Sequence, residues 1–79
     1  MAIVPPFPSI KATALLRVLG RLGYTTTRSR GSHRVLEAPG RPQLVLAYHS
    51  GQTFPPGLVR KILVKDVGLG EDEALRLLT

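Results

Sequence analysis

Apolar residues recur at helical spacing in the first third of the chain. From about Ile10 to Leu22 they step three or four residues apart, while basic residues take the other faces; the apolar set is Ala12, Leu15, Leu16, Leu19 and Leu22. Gly23 follows and suits a helix end, since glycine adopts positive φ at little cost. Gly20 lies inside this predicted helix, where glycine costs about 1 kcal/mol relative to alanine, and it suggests close packing there.

A second helical pattern occupies the later part of the chain. It begins near Pro55–Pro56, because proline is tolerated in a first helical turn, and runs to about Val67. Gly68 stops it. The acidic run Glu71–Glu73 then opens a short last helix, since negative charge is favourable at a helix N-terminus.

The segments between the two main helices read as strands and turns. Tyr24–Arg30 carries β-branched threonines and an aromatic residue, and predicts a strand. Gly31-Ser32 is a two-residue Gly-X connection of the kind found in type II′ hairpins. His33–Ala38 is the second predicted strand. Pro39–Pro42 predicts a turn, and the apolar run Gln43–Tyr48 a third strand.

The predicted order is α-β-β-β-α-α, with a loop over His49–Phe54. A three-stranded antiparallel sheet packed on two helices is an α+β architecture, and this order resembles the double-stranded-RNA-binding fold. Residues 1–79 form one predicted domain, because chains of this length rarely divide. Residues 1–9 are an extended, proline-rich lead-in, and residues 70–79 hold the short C-terminal helix.

The predicted turn places a histidine among arginines. If Gly31-Ser32 is a two-residue turn, Arg30 lies directly opposite His33. Arg28 then pairs with Val35. Side chains alternate along a strand, so Arg28, Arg30 and His33 share one face of the sheet.

The positive charge of the chain limits the classes of partner that it is expected to bind. The formal net charge is +6, from 11 lysines and arginines against 5 acids, and the isoelectric point is about 10.9. Such an excess is typical of proteins that bind nucleic acid, an acidic protein or an anionic membrane, although charge that only aids solubility is an alternative. Only four aromatic residues are present, which argues against a stacking platform for single-stranded bases.

The composition also bears on location and on the available chemistry. The chain has no cysteine, no signal-peptide pattern and no apolar run long enough to cross a bilayer, so a cytoplasmic protein is expected. Two isolated histidines and five scattered acids offer no metal-ligand spacing, and no metal or other cofactor is expected.

These residues fit a phosphodiester site. Arginines bind phosphate and stabilise the charge that builds on it, and His33 is placed to take a proton from a ribose 2′-hydroxyl as a general base. This route predicts cleavage of RNA and not of DNA. The alternative for His33 is a solvated residue at the start of a strand. Ser32 lacks an acid to complete a triad, so its role is in the turn or at a phosphate.

His49 ends the third predicted strand at the same end of the sheet. A general acid, a phosphate or 2′-hydroxyl contact and a structural polar residue are all open roles for it. Basic residues on the two helices are candidates for backbone contacts, although a solvated helix face is the plainer explanation for each alone. The predicted supporting and RNA-binding residues are Arg28, Arg30, Gly31, Ser32, Arg34, His49 and Lys61.

Residues 19–24 read Leu-Gly-Arg-Leu-Gly-Tyr, and a short basic strand and Gly31-Ser32-His33 follow them. This arrangement resembles the HicA family of mRNA-interferase toxins. The resemblance extends from about Ile10 to Leu69 and includes the run 47–49 (Ala-Tyr-His) and the helix entry 56–63. The family commonly has proline where this chain has Ala47.

The resemblance implies a double-stranded-RNA-binding-like fold and a metal-independent endoribonuclease that cleaves mRNA. It implies His33 as the catalytic histidine and His49 as the second one. It also implies neutralisation by a cognate HicB-type antitoxin. The expected assembly is a homo-oligomer or a heteromeric toxin–antitoxin complex. A non-catalytic RNA-binding module and an interaction domain for an acidic protein remain alternatives on the same residues.

Overall fold

The fold is α+β, with one main three-stranded antiparallel sheet and three α-helices. We describe it from a computed structural model, over residues 7–78; most of the predicted lead-in, residues 1–6, lies outside the described part, as does Thr79. The strands are β1 (Ile10–Lys11), β2 (Thr25–Arg30), β3 (His33–Glu37), β4 (Leu44–Ala47) and β5 (Thr53–Phe54). The helices are α1 (Ala12–Arg21), α2 (Pro56–Arg60), which continues as a π-helical segment (Lys61–Asp66), and α3 (Glu71–Leu77).

The main sheet has the strand order β2-β3-β4, as the sequence predicts. Leu36 pairs with Leu44, and both are buried together with Leu46. This inner face joins one core with apolar residues of the helices, among them Leu15, Leu19, Val59, Ile62 and Leu63. On the outer face, Val45 and Ala47 of β4 are exposed, and no helix of residues 7–78 covers them. Strand β2 is exposed on both of its faces. Alternation along β4 therefore separates a packed face from a free face.

A second, two-stranded sheet was missed by the sequence analysis. Ile10, predicted as the start of the first helix, instead pairs with Phe54, and Lys11 pairs with Thr53, predicted as loop. The backbone N–H of Ala12 donates to the Gln52 carbonyl at 2.8 Å, which joins this pairing to the start of α1. Two-residue strands are too short to show a period-2 pattern, so only tertiary pairing reveals them.

The second main helix begins at Pro56, as predicted, but changes its winding. The Val67 N–H donates to the Ile62 carbonyl at 2.9 Å, a five-residue step in place of the four of an α-helix. This winding also brings Lys61 to Asp66, five positions apart, where their charged atoms lie 3.0 Å apart. Ordinary α-helical geometry pairs residues three or four apart. The sequence pattern predicted the helix and its direction and missed this local change.

The end of α1 is built by a Schellman motif. The Tyr24 N–H donates to the Leu19 carbonyl at 3.1 Å, and the Gly23 N–H donates to Gly20 at 3.0 Å. Gly23 has φ +98°, as its predicted role requires. Buried Tyr24 then donates its hydroxyl to the Pro42 carbonyl at 2.7 Å, which ties the helix end to the 39–42 turn. Burial raises the pKa of the Tyr24 hydroxyl, while the nearby Arg41 charge opposes that rise.

The close packing suggested for Gly20 is wrong. Gly20 is exposed, and a Cβ built there meets no atom within 4 Å.

The third helix is present at Glu71–Leu77, with three acids in its first turn. None of the helices within residues 7–78 combines the length and hydrophobicity that a membrane crossing requires.

Gly20 and Gly23 give a paired prediction for the stability of the fold. Gly20→Ala should raise the free energy of unfolding by about 0.5–1 kcal/mol, because alanine restricts the unfolded chain and meets open space. Gly23→Ala should lower it by about 1 kcal/mol or more, since φ +98° is strained for any residue with a Cβ. Urea denaturation of both variants measures the two signs. Equal effects would contradict this account of the helix end.

Candidate functional site

The turn between β2 and β3 has the predicted geometry. Gly31 has φ +61°, whereas Ser32 has no positive φ, which is the sign pattern of a type II′ turn. Arg30 pairs with His33 and Arg28 with Val35, as predicted. The structure thus confirms the register that places two arginines and a histidine on one face.

That face is the outer one. Val35 pairs with Val45 and His33 with Ala47, on the side of the sheet away from the helix layer. Arg28, Arg30 and His33 are exposed, and within residues 7–78 their side chains form no hydrogen bond or ion pair. Two unpaired guanidiniums beside an unpaired imidazole are available to an anionic ligand.

His49 lies at the same end of the sheet. The Tyr48 N–H donates to the Ser32 carbonyl at 3.0 Å, which extends the β3–β4 pairing to the turn itself. His49 is the next residue and is exposed. The third strand thus returns to the His33 end of the sheet, as predicted, and His49 follows it there. The chemical role of His49 remains a proposal.

Gln52 holds the backbone of His49 from two sides. The His49 N–H donates to the Gln52 side-chain oxygen at 3.0 Å, and the Gln52 N–H donates to the His49 carbonyl at 3.0 Å. Gly51 closes the turn with φ +86°. Because the Gln52 carbonyl also accepts the Ala12 N–H, His49 is fixed relative to the start of α1. Gln52 was not among the predicted site residues, although the Ser50-Gly51 pair before it is a turn signal.

Arg34 braces the turn from the other face. It pairs with Leu46, on the inner side of the sheet, and not with the His33 set. Its guanidinium donates to the Gly31 carbonyl at 2.5 Å and lies 5.3 Å from the centre of the Tyr48 ring. Tyr48 is itself buried and packs edge-on against Phe54. The geometry therefore gives Arg34 a positioning role, one of the two roles, supporting and RNA-binding, that were predicted for its group.

Lys61 belongs to the helix layer and is separated from the outer face of the sheet. Its ammonium pairs with Asp66, and its neighbour Arg60 pairs with Glu71. In contrast, the exposed basic residues Lys11, Arg17 and Arg21 at and along α1 have no such partner within the described residues. Unpaired positive charge is therefore found on β2 and α1, and less on the second helix than the sequence suggested.

A metal-ligand cluster is not found in residues 7–78, where no three histidine or acidic side chains group as ligands. The groups brought together at the turn are two guanidiniums, the His33 imidazole and the backbone of a tight bend, with the His49 backbone at the same end of the sheet. Such a set can bind a phosphodiester and exchange a proton with it.

Comparison with known families identifies the class of protein. The family described as HicA toxin of bacterial toxin-antitoxin matches residues 12–69 of the 79. The matched range runs from the first residue of α1, through the second main helix, to Leu69 just beyond its end, and includes the whole turn region. The chain belongs to this family of toxins from toxin–antitoxin systems. Neither the curated proteins nor the solved structures gave a significant match.

The bracing of the turn by Arg34 predicts a measurable stability difference. Arg34→Ala removes a hydrogen bond to Gly31 and a cation–π contact with Tyr48, so the free energy of unfolding should fall by about 1–2 kcal/mol. Arg28→Ala removes an arginine of the same sheet that has no such contacts, and should change stability by no more than about 0.5 kcal/mol. Chemical denaturation of the two variants provides the comparison. A loss in Arg28→Ala as large as that in Arg34→Ala would contradict the bracing role.

Proposed function

We propose that this toxin is an endoribonuclease that cleaves mRNA without a metal ion, with His33 as its general base. The observation that carries the proposal is the direct pairing of exposed His33 with exposed Arg30 across a tight turn, where neither side chain has a partner among residues 7–78. Membership of the toxin family supports the same function. A HicB-type antitoxin is the proposed protein partner, in a heteromeric complex.

The proposed reaction is an internal transesterification. An unprotonated ring nitrogen of His33 takes the proton of a ribose 2′-hydroxyl, and the 2′-oxygen attacks the adjacent phosphorus. The new O–P bond forms as the bond from phosphorus to the 5′-oxygen breaks. The leaving oxygen takes up a proton, for which His49 is the proposed donor. The products are a 2′,3′-cyclic phosphate and a free 5′-hydroxyl, so atoms and charge balance without hydrolysis.

The arginines have separate tasks in this proposal. Arg30 lies opposite His33 and is placed to bind the nonbridging oxygens of the reacting phosphate, where negative charge builds. Arg28, one pair further along the same face, is placed for the neighbouring nucleotide. The backbone at Gly31 and Ser32 offers close approach for the phosphate, because no side chain rises at Gly31.

The competing function is a non-catalytic RNA-binding module, in which the same basic face holds the RNA backbone. The two differ in whether the imidazole is needed for a covalent change or only for contact. Loss of the imidazole should therefore separate cleavage from binding.

The test is single-turnover cleavage of single-stranded RNA in excess EDTA. The wild type should cleave it, and His33→Ala should slow cleavage by about 10²–10⁴-fold, the usual contribution of a general base or acid. RNA binding should change much less, since both arginines remain. DNA of the same sequence is the matched control and should stay intact, because it lacks the 2′-hydroxyl.

Two results would count against the ribonuclease. One is RNA that stays intact with the wild type while the wild type and His33→Ala bind it equally, which favours the binding module. The other is cleavage that EDTA abolishes, which would contradict the metal-independent route.

A further inference from the structure

An open depression lies beside the proposed active site on the outer face of the sheet. It has a volume of about 340 Å³ and is lined by Thr27, Arg28, Val35, Glu37 and Gln43. This volume is at the lower end of the roughly 300–1,000 Å³ range of small-molecule pockets, so it suits one small planar group. His33 and Arg30 are not part of its lining.

A β-bulge in β2 creates this depression. Thr26 pairs with Leu36, but the next paired residue is Arg28, opposite Val35, so Thr27 is an extra residue in the strand. Consecutive residues of a regular strand point to opposite faces. Thr27 and Arg28 line the same depression because the bulge interrupts that alternation.

The lining combines hydrogen-bond donors and acceptors with one apolar side chain, that of Val35. Arg28 supplies donors, Glu37 supplies acceptors, and neither forms an ion pair with another described residue. Val35 pairs with Val45, which at 63% exposure is the large hydrophobic side chain left open on residues 7–78. A carboxylate repels phosphate, so this mixed set fits a nucleobase better than an RNA backbone.

Its position matches one nucleotide step from the reacting phosphate. Val35 lies two residues from His33 on the same face of β3, which corresponds to about 7 Å of strand. Adjacent nucleotides of an extended single strand have a comparable spacing. A phosphate held at Arg30 and His33 would therefore place a neighbouring base over the depression.

We propose that this depression binds the base of the nucleotide next to the scissile phosphate, and that it favours guanine. The Watson–Crick edge of guanine has two N–H donors beside one carbonyl oxygen. Glu37 accepts from the two donors, and Arg28 donates to the oxygen. Thr27 and Gln43 complete the polar rim, and Val35 contacts the face of the base. This inference rests on the proposed function for its RNA substrate.

The test measures binding to RNA that cannot be cleaved. Uridine hexamers with 2′-O-methyl riboses, carrying a single guanine, adenine or cytosine or none, are titrated into the protein by fluorescence anisotropy. The wild type should bind the guanine-containing hexamer about tenfold more tightly than the all-uridine one, the usual scale of a good bidentate base contact. Glu37→Gln should reduce that ratio to about twofold or less, because the amide replaces an acceptor with a donor.

Glu73→Gln is the matched control. It removes the same single negative charge from an exposed position in α3, so it should raise the affinity for every hexamer without changing the guanine preference. Equal binding of all hexamers by the wild type, or equal preferences in the two variants, would overturn the subsite. A preference for another base that Glu37→Gln abolishes would overturn the choice of guanine.

The outcome is separable from that of the cleavage test. The 2′-O-methyl group blocks attack by the 2′-oxygen, so base preference is measured whether or not the protein cleaves RNA. If His33→Ala leaves cleavage unchanged, the ribonuclease mechanism fails while the binding ratio still decides the subsite.

Discussion

The positive φ of Gly31 is the constraint on which the outer face depends. A two-residue type II′ turn fixes which residues of β2 and β3 lie opposite each other, and a slip of one residue would move every side chain to the other face. In the observed register, Arg30 and His33 face outward, and Leu36 faces the core. The same bend therefore sets both the packing of the sheet and the proposed chemistry.

Contacts from Arg34 and Tyr48 hold the backbone of the turn in place. Arg34 donates to the Gly31 carbonyl and lies over Tyr48, and the Tyr48 N–H donates to Ser32. Gln52 fixes His49 and joins that loop to α1. Rigid placement of this kind is what catalysis by position requires, since a misplaced proton acceptor loses most of its effect. The buried inner face anchors the turn, which leaves the outer face free to bind.

The sequence alone predicted those features of the fold that depend on short segments of the chain. Helical periodicity predicted α1 and the second helix, and the Gly31-Ser32 pair predicted the turn type and thus the pairing of Arg30 with His33. These succeed because periodicity and positive φ are properties of short segments. The family was also recognisable from the Gly-Ser-His turn.

What the sequence could not show depends on distant contacts or on local irregularity. The pairing of Ile10 with Phe54 joins two residues that lie far apart in the sequence, so no local pattern predicts it. The bulge at Thr27 and the five-residue step from Ile62 to Val67 each change a period by one residue, and no single residue type signals either. Arg34 lies on the opposite face of β3 from His33, beside Leu46. Its hydrogen bond to the Gly31 carbonyl, which gives it a positioning role, is visible only in the structure.

The most direct test of the account changes only the handedness at residue 31. A Cβ of L configuration at Gly31 meets no atom within 4 Å, so L-alanine there differs from glycine in its backbone preference and not in its contacts. Chemical synthesis gives two proteins, one with L-alanine and one with D-alanine at this position, and D-residues favour the positive φ that the turn needs. Single-turnover RNA cleavage in EDTA is then measured for both. The D-alanine protein should cleave at the wild-type rate, and the L-alanine protein about tenfold or more slowly, because misplacing catalytic groups by about 1 Å costs up to 10²-fold. Equal rates for the two proteins, or loss of cleavage with D-alanine, would contradict the central role of the turn.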